Sequence, residues 1–271
     1  MTRHFLRDDD LAPAEQREVL ELALRLKADR FAARPLEGPR AVAVLFDKPT
    51  LRTQVSFTVG IAELGGFPVV VDGRLAKIGE RESVADTAHV LGRQVAAVVW
   101  RTYAQSRLEE MASAAGVPVV NALTDDFHPC QVLADLLTVA EHRGGTGALP
   151  GTVLAYTGDG ANNMAHSYLL GGATAGLHVR VATPRERAPR ADVVERARQI
   201  ARATGGSVHV TDSLAEAVAG AHVLATDTWV SMGDSTEAAE AERLFGPFRL
   251  DAAALAKACD DAVVLHCLHA Y

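Results

Sequence analysis

Short apolar runs rich in β-branched residues alternate along the chain with longer segments of helical period. The first run is AVAVLF at 41–46, and the helical segment after it stops at Gly65 and Gly66, before the next run, FPVVV. A strand, a crossover helix and a second strand in this order are typical of parallel sheets. We predict strands at 41–46, 67–71, 95–100, 117–120, 152–156, 177–182, 207–210, 221–226 and 262–265. We predict helices near 83–92, 104–115, 129–142, 163–175 and 191–204, besides the one that ends at Leu64.

One break in this alternation divides the chain. Segment 143–150 (RGGTGALP) combines glycines with a proline, a composition typical of a connection between units. We therefore predict an α/β protein with two similar-sized domains, 1–143 and 144–271, each a mostly parallel sheet flanked by helices. Ligands of such folds bind beyond the carboxyl ends of the strands, so we expect the active site in the cleft between the domains.

Composition and charge narrow the class of protein. The chain has 271 residues, of which 48% are hydrophobic and 23% charged, as is ordinary for a globular protein. No apolar run approaches the ~20 residues that span a bilayer, and residues 1–10 lack a signal-peptide core, so we predict a cytoplasmic protein. A net charge of −7 without a basic block argues against nucleic acid and anionic membranes as partners. Cys130, Cys259 and Cys267 fit neither a disulfide framework nor a paired metal-ligand spacing and are predicted to be free thiols.

The turn after the first predicted strand has the features of an anion-binding site. Segment 47–54 (DKPTLRTQ) opens a predicted helix, whose first backbone amides lack intrahelical partners and carry partial positive charge. Arg52 and the hydroxyls of Thr50 and Thr53 can complete a phosphate site there. The alternative is that Thr50 only caps the helix. Arg101 follows another predicted strand and is expected to face the same ligand, or else to form an ordinary surface ion pair.

A second polar group follows the strand predicted at 117–120. His128 and Gln131 are three residues apart, and Pro129 between them is typical of the first turn of a helix. Both side chains can then face one direction and donate to one oxygen, which would polarise a carbonyl and stabilise the charge that develops when it is attacked. The alternative for His128 is a purely structural histidine.

Glycines after the strand predicted at 152–156 raise the question of dinucleotide binding. Segment 158–163 (GDGANN) lacks the third glycine of the nucleotide-binding fingerprint, and no acidic residue clearly ends the next strand. We therefore do not predict nicotinamide binding. Asn163 instead offers an amide to a polar substrate, whereas Gly158 and Gly160 can simply permit a tight turn.

Two strands of the second domain are followed by reactive side chains. Asp227 begins segment 227–233 (DTWVSMG), which follows an apolar run as a substrate loop does, and Cys267 follows the last strand. A carboxylate beside a thiol can order an incoming ammonium group and help it to lose a proton before it attacks. For Cys267 two alternatives remain, a covalent nucleophile and an inert buried thiol.

Together these motifs resemble the carbamoyltransferase family over nearly the whole chain, and most closely its ornithine-specific branch. Segment 48–53 (KPTLRT) resembles the family's phosphate loop, Ser-Thr-Arg-Thr-Arg, and 128–131 (HPCQ) with the following Asp135 and Leu136 matches its second signature. Segments 227–233 and 266–268 (HCL) distinguish the ornithine-specific branch from the aspartate-specific branch. The aspartate-specific branch has Pro in place of Cys267 and uses a Lys-Gly-Glu loop, where this chain has GERES at 79–83.

The resemblance implies a homotrimer with active sites near subunit boundaries. It implies transfer of a carbamoyl group from carbamoyl phosphate to the δ-amine of L-ornithine, giving L-citrulline and phosphate in arginine synthesis or breakdown, with no metal and no organic cofactor. The first domain would bind carbamoyl phosphate and the second ornithine. The implied carbamoyl-phosphate contacts are Thr50, Leu51 (through its backbone), Arg52, Thr53, Arg101, His128, Gln131, Cys267 and Leu268. The implied ornithine contacts are Asn163, Asp227, Ser231 and Met232, and the implied catalytic set is Arg101, His128, Asp227 and Cys267.

The chain departs from the family pattern at several positions. Leu51 and Gln54 replace the second and fifth residues of the phosphate loop, which removes a hydroxyl and a positive charge, and His269 stands where the family has Pro. The family also continues past the equivalent of Tyr271 with an Arg-Gly pair and a helical segment. We therefore expect a C-terminally truncated chain that is poorly active or unstable. The alternatives are a catalytically silent homologue and a carbamoyltransferase for another amine, such as putrescine, against which the SMG sequence at 231–233 argues.

Overall fold

The computed structural model of the protein describes residues 2–229, 238–268 and 270. The chain divides into two compact units. Unit 1 comprises Met1–Asp10 and Glu21–Cys130, and unit 2 comprises Leu11–Leu20 and Gln131–Tyr271. The helices at 13–28 and 129–143 each contribute residues to both units. The boundary expected at residues 143 and 144 stays a prediction.

The first half of the chain forms a four-stranded sheet in which every strand pairing is parallel. Its helices and strands are α1 (Pro13–Ala28), β1 (Ala41–Phe46), α2 (Arg52–Glu63), β2 (Phe67–Asp72), α3 (Gly73–Ala76), α4 (Val84–Leu91), β3 (Ala97–Arg101), α5 (Gln105–Ala115), β4 (Val119–Leu123) and α6 (Pro129–Arg143). The strand order is β2-β1-β3-β4. Phe46 of β1 is in register with Arg101 of β3, so the carboxyl ends of the two central strands lie side by side.

Side-chain alternation along β1 explains why helices cover both faces of this sheet. Ala43 and Leu45 belong to one apolar core, which α4 and α5 complete. Val44 and Phe46 belong to the opposite core, together with Ile61 of α2. Successive residues of a strand point to opposite faces, so an unbroken apolar strand requires packing partners on both sides.

The second half of the chain forms a five-stranded sheet, again with parallel pairings throughout. Its helices and strands are β5 (Val153–Thr157), α7 (Asn163–Thr174), β6 (His178–Ala182), α8 (Ala191–Thr204), β7 (Ser207–Thr211), α9 (Leu214–Val218), β8 (Val223–Thr226), α10 (Ala238–Phe245), α11 (Ala252–Leu255) and β9 (Val263–His266). The strand order is β7-β6-β5-β8-β9. The chain therefore changes direction across the sheet between β5 and β8, and in open parallel sheets this switch point is where ligands bind.

Helix α7 lies in the interior of unit 2. All its residues from Met164 to Thr174 are buried, which suits its mostly apolar and small side chains. A Cβ atom added to Gly172 would lie 2.6 Å from Cγ2 of Val179 on β6. Gly172 therefore allows the helix to approach the strand more closely than any larger residue could.

The structure confirms the predicted architecture of two parallel α/β sheets, and most strand ends agree within one or two residues. Strand β4 extends further than predicted, because the polar Asn121 ends the apolar run but is buried in the strand, where its Nδ2 donates to Leu6 O at 2.9 Å. Helix α1 is absent from the predicted elements, which begin only at the first β-branched run, 41–46.

Candidate functional site

Arg101 brings the end of β3 together with the turn after β1. Its side chain is 7% exposed, and its Nη1 donates to Thr53 Oγ1 at 3.2 Å and to Thr50 Oγ1 at 3.5 Å. The register of β1 and β3 explains this, because adjacent parallel strand ends deliver their following residues to one edge of the sheet. The alternative of a surface ion pair is wrong, since the Arg101 side chain is buried.

The N-terminus of α2 carries the two hydroxyls that Arg101 contacts. The helix begins at Arg52, and the N-cap position is held by Leu51, which is 77% exposed and makes no side-chain capping hydrogen bond. Leu51 itself has helical φ and ψ angles of −96° and −54°, so the alternative that Thr50 caps this helix remains open. Helix geometry leaves the first amides without intrahelical partners and adds partial positive charge. Segment 50–53 with Arg101 thus combines main-chain donors, hydroxyls and guanidinium groups, a set suited to a phosphate.

Asp47, directly after β1, anchors this turn from within unit 1. Its buried carboxylate accepts from Thr102 Oγ1 at 2.6 Å and from Arg107 Nη2 at 3.4 Å. The same Arg107 nitrogen donates to Ile78 O at 2.7 Å. Buried carboxylates require such partners. Sequence reasoning missed this carboxylate. Because Asp is rarely buried, an Asp that immediately follows a fully apolar strand stands out in the sequence and could have been selected.

His128 is buried immediately before α6. It is 8% exposed, and burial first, with the charge of Arg101 second, lowers its pKa from 6.5 to about 3. The imidazole is therefore neutral at physiological pH, and in that form it can donate one hydrogen bond. A neutral donor can polarise a carbonyl without giving up its proton. The alternative of a structural histidine remains open.

Gln131 hydrogen-bonds within α6 to Asp135, one turn further along. Its Nε2 donates to Asp135 Oδ1 at 3.0 Å, and Asp135 Oδ2 accepts from the Tyr168 hydroxyl at 2.5 Å. Burial raises the pKa of Asp135 from 3.8 to about 6, partly offset by hydrogen bonds from Tyr168 and Gln131. The convergence of His128 and Gln131 on one oxygen stays a prediction.

Two buried tyrosines lie at the centre of a polar cluster in unit 2. The rings of Tyr156 and Tyr168 are 5.7 Å apart between centroids, and Asn162 Nδ2 donates to the Tyr156 hydroxyl at 2.8 Å. Burial raises the pKa of Tyr156, and the negative charge of Asp227 raises it further, as does Cys267. Sequence reasoning missed both tyrosines, because an aromatic residue in an apolar run gives the same signal as core packing.

Asp227 and Cys267 follow the neighbouring strands β8 and β9. Thr226 is in register with His266, and the Cys267 backbone N–H donates to Thr226 O at 3.4 Å. The structure thus brings both positions to the same edge of the sheet, with both side chains partly buried. The Thr228 backbone N–H donates to Asp227 Oδ1 at 2.8 Å, which helps to hold the carboxylate.

The structure describes some of the other residues of unit 2 that are predicted to contact a substrate, but not all of them. Asn163 is the first residue of α7 and is partly buried. Leu268 is 50% exposed and has a φ of +63°, and its backbone N–H donates to His266 Nδ1 at 2.7 Å. Ser231 and Met232 lie outside the described residues.

The glycines of segment 158–163 have packing roles. A Cβ atom on Gly160 would lie 2.8 Å from the backbone oxygen of Arg187 and 2.8 Å from Thr183. Gly158 has a φ of +121°, a conformation that favours glycine. The Asp159 carboxylate is occupied by Arg187, whose Nε donates to Oδ1 at 2.9 Å. These contacts agree with the interpretation of 158–163 as a tight turn.

Two features of the described residues bear on other classes of protein. Within 2–229, 238–268 and 270, no group of three or more His, Cys, Asp or Glu side chains is arranged to hold a metal ion. In the same part of the chain, no helix is both long and apolar enough to cross a membrane.

The fold and these residues define a two-domain α/β enzyme of the group-transfer type. One parallel-sheet unit places a buried arginine and two hydroxyls at a helix N-terminus, and the other places a carboxylate after β8, at its switch point, and a thiol after the adjacent β9. Models of the aspartate/ornithine carbamoyltransferase family match both parts, the carbamoyl-P binding domain at residues 3–141 and the Asp/Orn binding domain at 150–271. The chain belongs to this family.

Individual relatives agree with this assignment. An ornithine carbamoyltransferase from Clavibacter sepedonicus is 60% identical over 270 residues, covering 100% of this chain and 87% of the relative. The solved ornithine carbamoyltransferase from Pyrococcus furiosus has a TM-score of 0.92 at 37% identity, covering 99% and 85% of the two chains. The anabolic ornithine carbamoyltransferase from Campylobacter jejuni has a TM-score of 0.92 at 33% identity, covering 100% and 87%. The expected C-terminal truncation and its effect on activity stay predictions.

Proposed function

We propose that the protein transfers the carbamoyl group of carbamoyl phosphate to the δ-amine of L-ornithine, forming L-citrulline and phosphate. The contact of buried Arg101 with Thr50 and Thr53 at the N-terminus of α2 carries this proposal, since it is a ready site for a phosphate group. Membership of the family and 60% identity to an ornithine carbamoyltransferase support the choice of substrates.

In this proposal unit 1 binds the phosphate. Thr50 and Thr53 contribute hydroxyls, Leu51 contributes its backbone amide, and Arg52 and Arg101 contribute positive charge. Negative charge builds up on the phosphate as its bond to the carbamoyl carbon breaks. Donors that are already oriented before the reaction stabilise this charge without reorganising, which lowers the barrier.

His128 and Gln131 are proposed to bind the carbamoyl group itself. The low pKa of His128 keeps the imidazole neutral, so it can donate to the carbonyl oxygen and remain a donor as charge develops there. Gln131 keeps one amide N–H and its oxygen for the substrate after its bond to Asp135 is made.

Unit 2 is proposed to bind and activate the amine. Asp227 orients the δ-ammonium group, with Asn163, Ser231 and Met232 as further ornithine contacts and with Cys267 and Leu268 beside the carbamoyl group. The ammonium group loses one proton, and the amine nitrogen then forms a bond to the carbonyl carbon. The bond from that carbon to the phosphate oxygen breaks, phosphate leaves, and loss of a second proton from nitrogen gives the neutral product.

The physiological setting is also proposed. The protein acts in arginine biosynthesis in the cytoplasm, as a homotrimer. The similarity to the anabolic ornithine carbamoyltransferase from Campylobacter jejuni supports the biosynthetic direction. Light scattering after size-exclusion chromatography tests the assembly, with a mass of three chains of 28.7 kDa as the expected result.

Citrulline formation from carbamoyl phosphate tests the proposed activity, with ornithine, putrescine and aspartate offered separately to the purified chain. Turnover with ornithine alone is the expected result, and turnover with putrescine alone would identify a different amine as the substrate. Binding of a bisubstrate analogue in a calorimeter without turnover on any amine would identify a catalytically silent homologue.

A further inference from the structure

Asp135 connects Gln131 with a tyrosine on another helix. Gln131 Nε2 donates to Asp135 Oδ1 at 3.0 Å, and the Tyr168 hydroxyl donates to Asp135 Oδ2 at 2.5 Å. Asp135 is 8% exposed and Tyr168 is 2% exposed. Each carboxylate oxygen therefore has its own partner, partly buried Gln131 for Oδ1 and buried Tyr168 for Oδ2, and α6 is linked to α7 through the Asp135 side chain.

The protonation states determine the direction of both hydrogen bonds. Burial, followed by the charge of Asp135, raises the pKa of the Tyr168 phenol, so Tyr168 keeps its proton and can only donate to the carboxylate. An ionised carboxylate accepts hydrogen bonds and cannot donate them. Gln131 must therefore turn its Nε2 toward Asp135, because the opposite orientation would place two acceptor oxygens against each other.

This constraint acts on the part of Gln131 that faces away from Asp135. A carboxamide has two orientations that differ by exchange of its nitrogen and oxygen, and little distinguishes them in the absence of a selective partner. With the nitrogen held on Asp135, the amide oxygen and the second N–H have defined positions for a ligand. A group held in one productive orientation loses less freedom when the reaction begins.

We propose that Asp135 and Tyr168 are positioning residues, which hold the Gln131 carboxamide in one orientation for carbamoyl transfer. This inference rests on the proposed function, in which Gln131 contacts the carbamoyl group. Tyr168 holds Asp135 by its second oxygen, so removal of the Tyr168 hydroxyl is expected to loosen Gln131 without any direct contact between the two.

A double-mutant cycle tests whether the two residues act through Gln131. Asp135→Asn and Tyr168→Phe are each expected to lower kcat by about tenfold to a hundredfold, with the KM for ornithine changed less than about threefold. In a Gln131→Ala background, neither substitution should lower kcat further, because the carboxamide that Asp135 and Tyr168 position is absent. Losses that multiply in that background would overturn the proposal, since they would show a merely structural role.

The matched control is Thr174→Val on the same helix. Thr174 is 3% exposed, and its hydroxyl donates within α7 to Leu170 O at 2.9 Å. The substitution removes a buried hydroxyl, as Tyr168→Phe does, but has no path to Gln131. It should lower the melting temperature while leaving kcat within about twofold. A loss of kcat equal to that of Tyr168→Phe would count against positioning.

A measurement without turnover separates failure of this inference from failure of the proposed function. In a protein with ¹⁵N-labelled glutamine, the side-chain amide signals of Gln131, assigned through Gln131→Ala, should shift as Asp135 titrates near pH 6 and should not do so in Asp135→Asn. Besides burial, the Tyr168 hydroxyl from α7 and the Gln131 amide from α6 act on this carboxylate, and Tyr156 and Cys267 act in turn on Tyr168. If Asp135→Asn leaves the pH dependence of the Gln131 amide signals unchanged, the inference is refuted even in an active enzyme. If these signals follow the titration of Asp135 but the chain is inactive, only the proposed function is refuted.

Discussion

Arg101 Nη1 donates to Thr53 Oγ1 at 3.2 Å, although 48 residues separate the two in sequence. Arg101 is only 7% exposed, so its charge acts in a medium of lower dielectric than water and interacts more strongly with an anion there. The same charge contributes to the low pKa of His128. Arg101 therefore affects both the proposed phosphate site and the protonation state of the histidine beside it.

Removal of this guanidinium is expected to reduce catalysis strongly. Arg101→Met should lower kcat/KM by about a hundredfold or more, because a buried donor to developing charge is lost. Arg101→Lys keeps the positive charge but not the planar guanidinium, so its kcat/KM should lie between that of the unaltered chain and that of Arg101→Met. Steady-state kinetics of citrulline formation measure this.

The control for that experiment is Arg202→Met. Arg202 forms an exposed ion pair with Glu195 at 3.4 Å, and such pairs contribute little. Its kcat/KM should equal that of the unaltered chain. An unchanged kcat/KM in Arg101→Met would contradict the assignment of Arg101 to the site.

His128 is expected to remain neutral throughout the physiological range. Since its pKa is lowered to about 3, its ¹³Cε1–¹H signal should not titrate between about pH 5 and pH 8. The signal is assigned by its loss in His128→Asn. Arg101→Met should raise the pKa only in part, because burial is the larger cause. A midpoint near 6.5 in the unaltered chain would show that the imidazole is hydrated and can be charged.

Asp135 is expected to make stability depend on pH in a defined direction. Its pKa in the folded protein, about 6, is higher than the ordinary 3.8, so its contribution to stability is present below about pH 4 and is lost as the pH rises through 6. The rise from 3.8 to about 6 corresponds to roughly 3 kcal/mol. Relative to Asp135→Asn, the free energy of unfolding should fall by up to that amount between acid and neutral pH. Urea unfolding of both proteins at matched pH values checks this, and a difference that is constant with pH would refute it.

Gly172 is expected to tolerate no side chain. In Gly172→Ala the new Cβ would meet Val179 Cγ2 at 2.6 Å, and such overpacking costs about 1–3 kcal/mol. Gly147→Ala is the control, since nothing lies within 4 Å of a Cβ there. Urea unfolding compares the two, and adding Val179→Ala should recover part of the loss in Gly172→Ala. Equal stability of the two alanine variants would contradict the close approach of α7 to β6.

Much of the fold follows from local pattern. The runs at 41–46 and 191–204 predict β1 and α8 with their observed bounds, since an apolar strand and an amphipathic helix each have a period that the sequence displays directly. Helix α1 shows the limit of this reasoning. It lies before the first β-branched run, outside the alternation of strands and helices from which the other elements were predicted.

The candidate site divides in a similar way. Arg101, Thr50 and Thr53 can be selected from the sequence because each follows or begins a predicted element, and strand ends gather at one edge of a parallel sheet. Asp47 also follows a predicted strand, but neither its role nor the roles of Tyr156 and Tyr168 can be read from the local sequence. Their roles depend on partners far away in sequence, such as Thr102 for Asp47 and Asp135 for Tyr168, 55 and 33 residues away.

The sequence by itself therefore determined the class of fold, the order of the strands along the chain, and the motifs that identify the family. Only the tertiary structure decided which of those side chains are buried, which of the titratable ones are protonated and which partner each one contacts. The physical reason is that period and propensity act over neighbouring residues, whereas desolvation and hydrogen bonding depend on groups that folding brings together from distant segments.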